Sequence, residues 1–179
     1  MYETDAELDA LDVLLDRSVS GATAHLRSII RPGERTLTAR QLAEVLSGMC
    51  VLAVATVTAN GEPRISAVDG HFLHGCWVFG TERSAAKARH LHARPAASAA
   101  HLRGETLGVF THGTVEVLNP PAGSADPQWD DILDYLTSHY GESPLSWGDV
   151  VMYRLRPRWM AAYASQPQAL LSGSERTGN

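Results

Sequence analysis

Three apolar runs separated by turn signals constrain the fold of this chain more than any other feature. They occupy residues 51–57, 63–69 and 76–79 of the 179-residue sequence. Asn60-Gly61 separates the first two runs, and Asn-Gly is the strongest short-range hairpin signal because a type I′ turn needs positive φ at both central residues. His74-Gly75 gives a weaker signal before the third run. We therefore expect three antiparallel strands joined by tight hairpins.

Three further segments complete the predicted sheet. Residues 96–102 and 107–118 indicate two strands joined by Arg103-Gly104-Glu105, and residues 150–163 indicate a long final strand. Links as short as these require antiparallel pairing, since a parallel crossover needs about a dozen residues or more. The prediction is a mainly β protein with flanking helices, which excludes a doubly wound nucleotide-binding fold.

The last strand alternates in polarity by two, which is typical of a half-buried strand. One predicted face carries Val151, Tyr153, Leu155, Trp159 and Tyr163. The other face carries Arg154, Arg156 and Arg158. These arginines could receive the anionic tail of a ligand or a second phosphate, or they could form salt bridges with the acidic helices. The sequence favours neither alternative.

The first 48 residues are predicted to be helical. Four leucines recur at helical spacing with acidic residues between them, and they form the apolar face of an amphipathic helix: Leu8, Leu11, Leu14 and Leu15. Thr38 and Gln41 form a capping box for a second helix, which we expect to end at Gly48. This extension is interpreted either as a lid or dimer arm, or as a helical cover for one sheet edge.

A further helix is predicted between the last two strands. Asp126 can cap it, Pro127 suits its first position, and Gly141 ends it. Serine, glycine and arginine beyond Gln166 predict a frayed tail. These boundaries divide the chain into an N-terminal helical extension (1–48), a cofactor-binding sheet domain (49–165) and a flexible tail (166–179).

Composition excludes several classes of function. Fifteen basic against 20 acidic residues give a net charge of -5, which argues against bulk binding to nucleic acid. No window approaches the roughly 20 apolar residues of a membrane span, and the acidic start lacks the positive charge of a signal peptide. We therefore expect a cytoplasmic protein without a membrane partner. Cys50 and Cys76 are predicted to be reduced core residues, and the histidines show no spacing for a metal site.

A candidate anion site follows the third strand. Thr81, Ser84 and Lys87 come directly after it, and Ser84 is expected to cap a helix over residues 85–93. The free amides of a helix's first turn, two hydroxyls and a lysine together favour a phosphate. Arg64, on the neighbouring strand, could supply a second cation. The alternative is an ordinary capped helix with solvated cations.

The order of these elements resembles the flavin-binding split barrel of the pyridoxamine 5′-phosphate oxidase-like family over residues 45–163. The resemblance rests on the segment 64–69, on Phe79-Gly80-Thr81, and on Lys87 six positions after that threonine. It is closest to the actinobacterial branch described as flavin or deazaflavin oxidoreductases, in which runs such as 61–64, 68–70 and 112–114 recur. It implies a six-stranded antiparallel split β-barrel of the FMN-binding type, paired as a homodimer with the cofactor in the groove between the chains.

The resemblance also implies particular cofactor contacts. Arg64 and Lys87 become phosphate ligands, and Thr81 helps to close the phosphate end. The strand that Arg64 opens passes along the ring and ribityl chain of the cofactor. The full set of implied contacts is Arg64, Ile65, Ser66, Ala67, Val68, Gly80, Thr81, Ser84 and Lys87.

The implied function is that of an oxidoreductase that uses FMN or the deazaflavin F420 on a small organic molecule. The chain lacks the C-terminal tryptophan-to-arginine segment with which true pyridoxamine phosphate oxidases grip their substrate, so vitamin B6 oxidation is not implied. No catalytic residue is assigned, although His112 lies in mid-strand and could face the cofactor. Two alternatives stay open: a flavin-binding carrier or sensor without turnover, and a haem-binding split barrel.

Overall fold

The computed structural model describes residues 2–122 and 124–174 and contains a closed barrel of six strands. The strands are β1 (Met49–Val57), β2 (Pro63–Leu73), β3 (Cys76–Glu82), β4 (Ala96–Arg103), β5 (Leu107–Val117) and β6 (Val150–Ala164). Around the barrel their order is β1-β2-β3-β6-β5-β4, and every neighbouring pair, including β1 with β4, is antiparallel. The predicted antiparallel barrel with flanking helices is confirmed.

Both predicted hairpins are present, but the type I′ turn is at the second. In the first loop the Gly61 amide donates to the carbonyl of Thr58 (3.0 Å), and Gly61 has φ 81° whereas Asn60 does not have positive φ. This is a three-residue loop ending in a left-handed glycine, so the type I′ prediction is wrong there. His74 (φ 54°) and Gly75 (φ 70°) both have positive φ and join the paired residues Leu73 and Cys76 directly. The weaker sequence signal therefore marks the type I′ turn.

A bulge changes the face of β6 halfway along the strand. His112 pairs with Trp159 and Gly113 with Pro157, so Arg158 has no partner across the ladder. Before the bulge the alternate residues 151, 153 and 155 face the core, and after it residues 160, 162 and 164 do so. Trp159 and Tyr163 therefore pack outside the barrel against Val19 and other residues of the N-terminal segment. The prediction that they share a face with Val151 is wrong, because one extra residue inverts the alternation.

The helices are α1 (Asp5–Ser20), α2 (Ala24–Ile29), α3 (Ala39–Val45), α4 (Ala86–Ala93), α5 (Trp129–Tyr140) and α6 (Pro167–Ser174). The predicted capping box of Thr38 and Gln41 is confirmed, although α3 ends before Gly48. The leucines of α1 share one hydrophobic cluster with barrel residues such as Leu52. The short helix α2 was not predicted.

The C-terminal segment carries a helix where the sequence predicted a flexible tail. Helix α6 packs Leu170 and Leu171 against the main core, which explains its order. Residues 175–179 of the predicted tail lie outside the described residues. No helix in the described ranges has the length and apolar character needed to cross a membrane.

Helix α5 lies between β5 and β6 and packs on the outside of the barrel. Ile132 and Leu136 join a second cluster with Val78 of β3 and Met152 of β6. The helix ends at Gly141 (φ 77°) as predicted. It begins at Trp129 with Gln128 as its N-cap, so the prediction that Asp126 caps it and Pro127 takes its first position is wrong. A short 3₁₀ helix, Pro144–Trp147, follows before β6. This segment therefore forms a wall beside β2 and β3.

Candidate functional site

A cleft of about 600 Å³ opens between β2, β3, the start of α4 and the segment from α5 to the 3₁₀ helix. Its volume falls in the range of small-molecule sites, roughly 300–1,000 Å³. It is lined by Ala67, Val68, Asp69, His71, Phe79, Gly80, Thr81, Glu82, Lys87, Leu136, Tyr140, Pro144, Trp147, Gly148, Asp149, Val150 and Met152. We call this space the β2–α5 cleft.

Five of the nine residues implied by the family resemblance line the β2–α5 cleft. They are Ala67, Val68, Gly80, Thr81 and Lys87. The other four do not line it. Arg64 pairs instead with Glu62 at 2.7 Å on the exposed end of β2, and Ile65 points outward with 75% of its surface exposed. Ser66 and Ser84 also lie outside the lining.

Lys87 and Thr81 form a candidate anion site at one end of the cleft. The Lys87 ammonium lies 3.4 Å from Thr81 Oγ1, and both side chains are half-buried. Lys87 is the only lysine in the chain. An ammonium beside a hydroxyl can donate to two oxygens of one phosphate, which is the chemistry that the sequence predicted for this position.

Ser84 does not cap α4. The helix begins one residue later than expected, its N-cap is Ala85, and no side chain caps it. The Ser84 hydroxyl donates instead to the Glu82 carboxylate at 2.6 Å. The capping prediction is therefore wrong, because the helix begins at Ala86 and Ser84 lies one residue before the N-cap position.

The cleft holds more negative than positive charge. Three carboxylates line it (Asp69, Glu82 and Asp149), whereas Lys87 is the lone lysine or arginine among its described lining residues. Asp149 is neutralised in part by Arg83, whose Nε lies 3.0 Å from it. The site can therefore hold one phosphate at Lys87, and its remainder does not attract a second anion.

A buried histidine bonded to two tyrosines forms one wall of the cleft, and the sequence did not reveal it. His71 on β2 is 2% exposed, its Nδ1 lies 3.0 Å from the Tyr135 hydroxyl and its Nε2 lies 2.9 Å from the Tyr140 hydroxyl. Burial, together with the nearby ring of His139, lowers the pKa of His71 to about 4, so the imidazole is neutral at pH 7. Only the positions of α5 and β2 in three dimensions could have shown this contact.

The two tyrosines have different access to the cleft. Tyr140 lines it, whereas Tyr135 does not. Burial raises the pKa of Tyr135 to about 12. Burial, and secondarily the charge of Asp69, also raises the pKa of the Tyr140 hydroxyl. Both phenols are therefore protonated at neutral pH and can act as hydrogen-bond donors.

The rest of the wall is apolar and aromatic. Trp147 stands edge-on to Tyr140 with ring centroids 4.9 Å apart, and its indole N–H donates to Glu142 at 2.8 Å. Phe79 and Met152 lie deeper in the lining. A flat ring system can lie between the backbone of β2 and this aromatic wall, with its polar end directed toward Lys87.

The arginines of β6 form salt bridges rather than a free basic face. Arg154 is 1% exposed and donates through both terminal nitrogens to Asp126 at 2.9 and 3.0 Å. Arg156 pairs with Glu116 at 2.7 Å. Of the two alternatives for these arginines, salt bridges are therefore the one observed for Arg154 and Arg156. Their partners lie in the loop before α5 and on β5, not on the acidic helices.

His112 lies on the outer side of the barrel. It is exposed, bonds to Ser98 Oγ at 2.8 Å and stacks on Trp159 with ring centroids 4.9 Å apart. It does not line the β2–α5 cleft. Within residues 2–122 and 124–174, no group of three or more His, Cys, Asp or Glu side chains could hold a metal ion. Cys50 and Cys76 are buried and free, as predicted.

An exposed apolar face covers the outside of four strands next to the cleft. The register places Ala55 beside Ile65, Ala53 between Ala67 and Ala100, and Ala100 beside Phe110. We call this the outer apolar face, and it consists of Met49, Val51, Ala53, Ala55, Ile65, Ala67, Ala100, Leu102 and Phe110. Ala67 belongs to both the face and the cleft lining.

The sequence matches no protein-family model and no curated protein, whereas solved structures match the fold. An F420 reductase is 21% identical over 65% of this chain and 92% of its own, with a TM-score of 0.51. The heme storage protein HutZ from Vibrio cholerae is 18% identical over 69% of this chain and 93% of its own, with a TM-score of 0.56. A putative pyridoxamine 5′-phosphate oxidase from Listeria innocua is 10% identical over 68% of this chain and 93% of its own, with a TM-score of 0.51. The chain therefore has the fold of the pyridoxamine 5′-phosphate oxidase-like split barrels, as the sequence resemblance predicted.

Proposed function

We propose that this protein binds FMN or F420 in the β2–α5 cleft and uses it for two-electron oxidation or reduction of a small organic molecule. The observation that carries the proposal is the pairing, in one cleft, of the sole lysine with a wall suited to a flat ring. The split-barrel fold and the likeness to an F420 reductase support it. When bound, such a cofactor supplies the hydride chemistry, and the chain supplies binding, orientation and protons.

The proposed binding mode places the cofactor phosphate on Lys87 and Thr81. One ammonium and one hydroxyl give charge-assisted hydrogen bonds, which are stronger than neutral ones. The ring would lie along Ala67 and Val68, facing Tyr140 and the aromatic wall. Small side chains on β2 at this position let the ring approach the strand backbone.

The first test is an absorption titration of the purified protein with FMN, F420 and haem in separate experiments. Saturable binding of FMN or F420 supports the proposal and identifies the cofactor. Subsequent exchange of electrons with an added acceptor separates an enzyme from a carrier or sensor. Binding of haem alone, or of none of the three, would overturn the proposal.

Lys87→Ala tests the binding mode. We expect it to weaken cofactor binding by about 1–3 kcal/mol, the range for lost hydrogen bonds to a charged group, which is roughly 5- to 150-fold in Kd. Arg64→Ala is the matched comparison, because Arg64 is engaged by Glu62 outside the cleft and its loss should change Kd less than about threefold. Equal losses for the two variants would favour the family's phosphate geometry over this one.

Because the chain has one lysine, chemical labelling gives a second measurement of the same contact. Acetylation by acetic anhydride, followed by peptide mass spectrometry, reports the exposure of Lys87 alone among side-chain ammonium groups. Bound cofactor should protect it, whereas the α-amino group serves as an internal reference. Unchanged labelling at saturating cofactor would remove Lys87 from the phosphate site.

We also propose that two copies of the chain pair through the outer apolar face. Val51, Ile65 and Leu102 expose 56, 75 and 60% of their surface there, and contiguous exposed apolar area of this kind marks an interaction site. The alanines at the centre of the face permit close approach, and Ala67 connects the face with the cleft. A second copy on this face would therefore border the bound cofactor.

Light scattering of wild type and Ile65→Glu tests this arrangement. Wild type should have twice the 19.3 kDa mass of the chain, and Ile65→Glu should be a monomer with weakened cofactor binding. Val13→Glu is the matched control, because Val13 is 66% exposed on α1 outside the face. A cofactor-loaded wild-type monomer would contradict the proposal.

A further inference from the structure

We infer that Tyr140, oriented by the buried imidazole of His71, donates a proton to the substrate in the β2–α5 cleft. This inference rests on the proposed function, because it assumes that a reduced flavin or deazaflavin in the same cleft is the hydride donor. Tyr140 is then a catalytic residue, and His71 is a positioning residue that acts through it.

The geometry distinguishes Tyr140 from every other hydroxyl-bearing or acidic side chain of the cleft. Tyr140 lines the cleft, and its hydroxyl lies 2.9 Å from His71 Nε2. Thr81 is engaged with Lys87 at the anion end. The carboxylates of Asp69, Glu82 and Asp149, when ionised, are acceptors only.

The two hydroxyls on His71 allow two arrangements of the protons, and the inference requires the one with the proton on Nε2. A neutral imidazole has one donor and one acceptor nitrogen, and here each nitrogen faces one tyrosine oxygen. With the proton on Nε2, that nitrogen donates to the oxygen of Tyr140, and Tyr135 donates to Nδ1. Tyr140 then keeps its own proton free to point into the cleft.

Several groups surround the pair of His71 and Tyr140. Asp69 lines the cleft beside Tyr140, the ring of His139 lies 4.9 Å from His71, and Tyr135 is bonded to His71 from the same helix. Trp147 stands against the ring of Tyr140 and holds it edge-on. Among the residues that line the cleft, Tyr140 is thus the one hydroxyl-bearing side chain that is bonded to the imidazole.

The reduced cofactor and Tyr140 together supply the electrons and the hydrogen that the substrate gains. The substrate takes one hydride from the reduced cofactor and one proton from Tyr140, so it gains two electrons and two hydrogen nuclei in total. The O–H bond of Tyr140 breaks as the new bond to the substrate forms. The phenolate left behind accepts a hydrogen bond from His71 Nε2–H until water in the open cleft returns the proton.

The test compares Tyr140→Phe with Tyr135→Phe, which removes the other partner of His71 without changing the cleft lining. Each variant is loaded with the cofactor that binds, reduced, and mixed rapidly with one of two probes. Menadione takes a hydride and a proton, whereas 10-methylacridinium takes a hydride and no proton. Tyr140→Phe should slow menadione reduction about 100-fold, within the range of general acid catalysis, and leave the acridinium rate within about twofold.

Two outcomes of this comparison would overturn the inference. One is menadione reduction by Tyr140→Phe within about threefold of wild type. The other is an equal loss with both probes, which would mean that the variant disturbs cofactor position rather than proton supply. In either case cofactor binding would still stand, so the proposed function could survive the failure of this inference.

A measurement on the protein without cofactor tests the orientation directly. Long-range ¹⁵N spectra at pH 7 should show His71 neutral with its proton on Nε2. Tyr140→Phe should shift the Nε2 signal, and Tyr135→Phe should shift the Nδ1 signal. A proton on Nδ1 would direct the Tyr140 hydroxyl at the imidazole instead of the cleft and would overturn the inference.

Discussion

Replacing Asp126 with asparagine should destabilise the fold by leaving a buried arginine without its counter-charge. Asp126 lies in the loop before α5 and accepts two hydrogen bonds from Arg154 on β6. The guanidinium is 1% exposed, and its Nε has no hydrogen-bond partner. Asparagine keeps the shape of the side chain and an oxygen that can accept from the Gln128 amide, so the variant removes mainly the charge.

The cost follows from what remains around the guanidinium. Breaking a buried ion pair by removing one partner typically costs about 3–5 kcal/mol. Glu116 stays 3.9 Å from Arg154 and offsets part of the loss, so we expect about 3 kcal/mol. For a chain of this size each kcal/mol lowers Tm by roughly 2–4 °C, which gives a fall of about 6–12 °C by calorimetry at pH 7.

The same pair predicts a dependence on pH. Burial alone would raise the pKa of Asp126, but the Gln128 amide and the Arg154 guanidinium outweigh it and hold the pKa below its ordinary value. A lowered pKa in the folded state gives stability that is complete above the unfolded pKa of about 3.9 and is lost as pH falls through the folded value. The Tm gap between wild type and Asp126→Asn should therefore close below about pH 4.

Glu34→Gln is the control, since it removes a charge from the pair of Arg31 with Glu34, in which both side chains are largely exposed and which does not involve Arg154. Such pairs contribute about 0–1 kcal/mol, so its Tm should change little. The reasoning is refuted if Asp126→Asn costs less than the control, or if the gap between wild type and Asp126→Asn is the same at pH 3 as at pH 7.

Two further substitutions test the backbone features of the fold by urea denaturation. Gly113→Ala should cost about 3 kcal/mol or more, because its Cβ would clash with the backbone of Arg156 and Pro157 in the bulge, which cannot move aside as a flexible side chain could; a loss under 1 kcal/mol would contradict the bulge geometry. Thr38→Ala should cost about 1 kcal/mol through the loss of the α3 cap, and an unchanged midpoint would show that Gln41 alone suffices.

The strands and their order could be predicted because the signals are local. Apolar runs bounded by Asn60-Gly61 and His74-Gly75 fix where each strand ends, whatever packs against it. The type of each turn could not be predicted from its dipeptide, because both dipeptides permit positive φ. The register of the flanking strands decides which residues adopt it. Leu73 pairs with Cys76 and leaves two residues for a turn, whereas beyond the pair of Val57 with Pro63 the Thr58 amide donates to the Glu62 carbonyl and leaves three.

The bulge in β6 and the wall of the cleft depend on contacts between distant parts of the chain. Nothing in the local pattern of residues 150–163 marks Arg158 as the extra residue, because arginines recur at every second position there. His71 is likewise unremarkable in sequence, since its two tyrosine partners follow more than 60 residues later. The anion end could be predicted in part because Thr81 and Lys87 are six residues apart on consecutive elements.

The β2–α5 cleft divides its chemical roles between two parts of the chain. The barrel and α4 supply Lys87 and Thr81, whereas Tyr140 comes from the segment between β5 and β6. Two polar contacts hold that segment to the barrel. Arg154 pairs with Asp126 before α5, and His71 bonds to Tyr140, the last residue of α5. A ligand whose phosphate binds to Lys87 and Thr81 would thus place its ring against a wall formed by another part of the chain. Residues of that wall can be substituted without changing the phosphate contacts. Under the proposed function, substitutions in the segment should change which acceptor is reduced, whereas substitutions of Lys87 or Thr81 should change how tightly the cofactor binds.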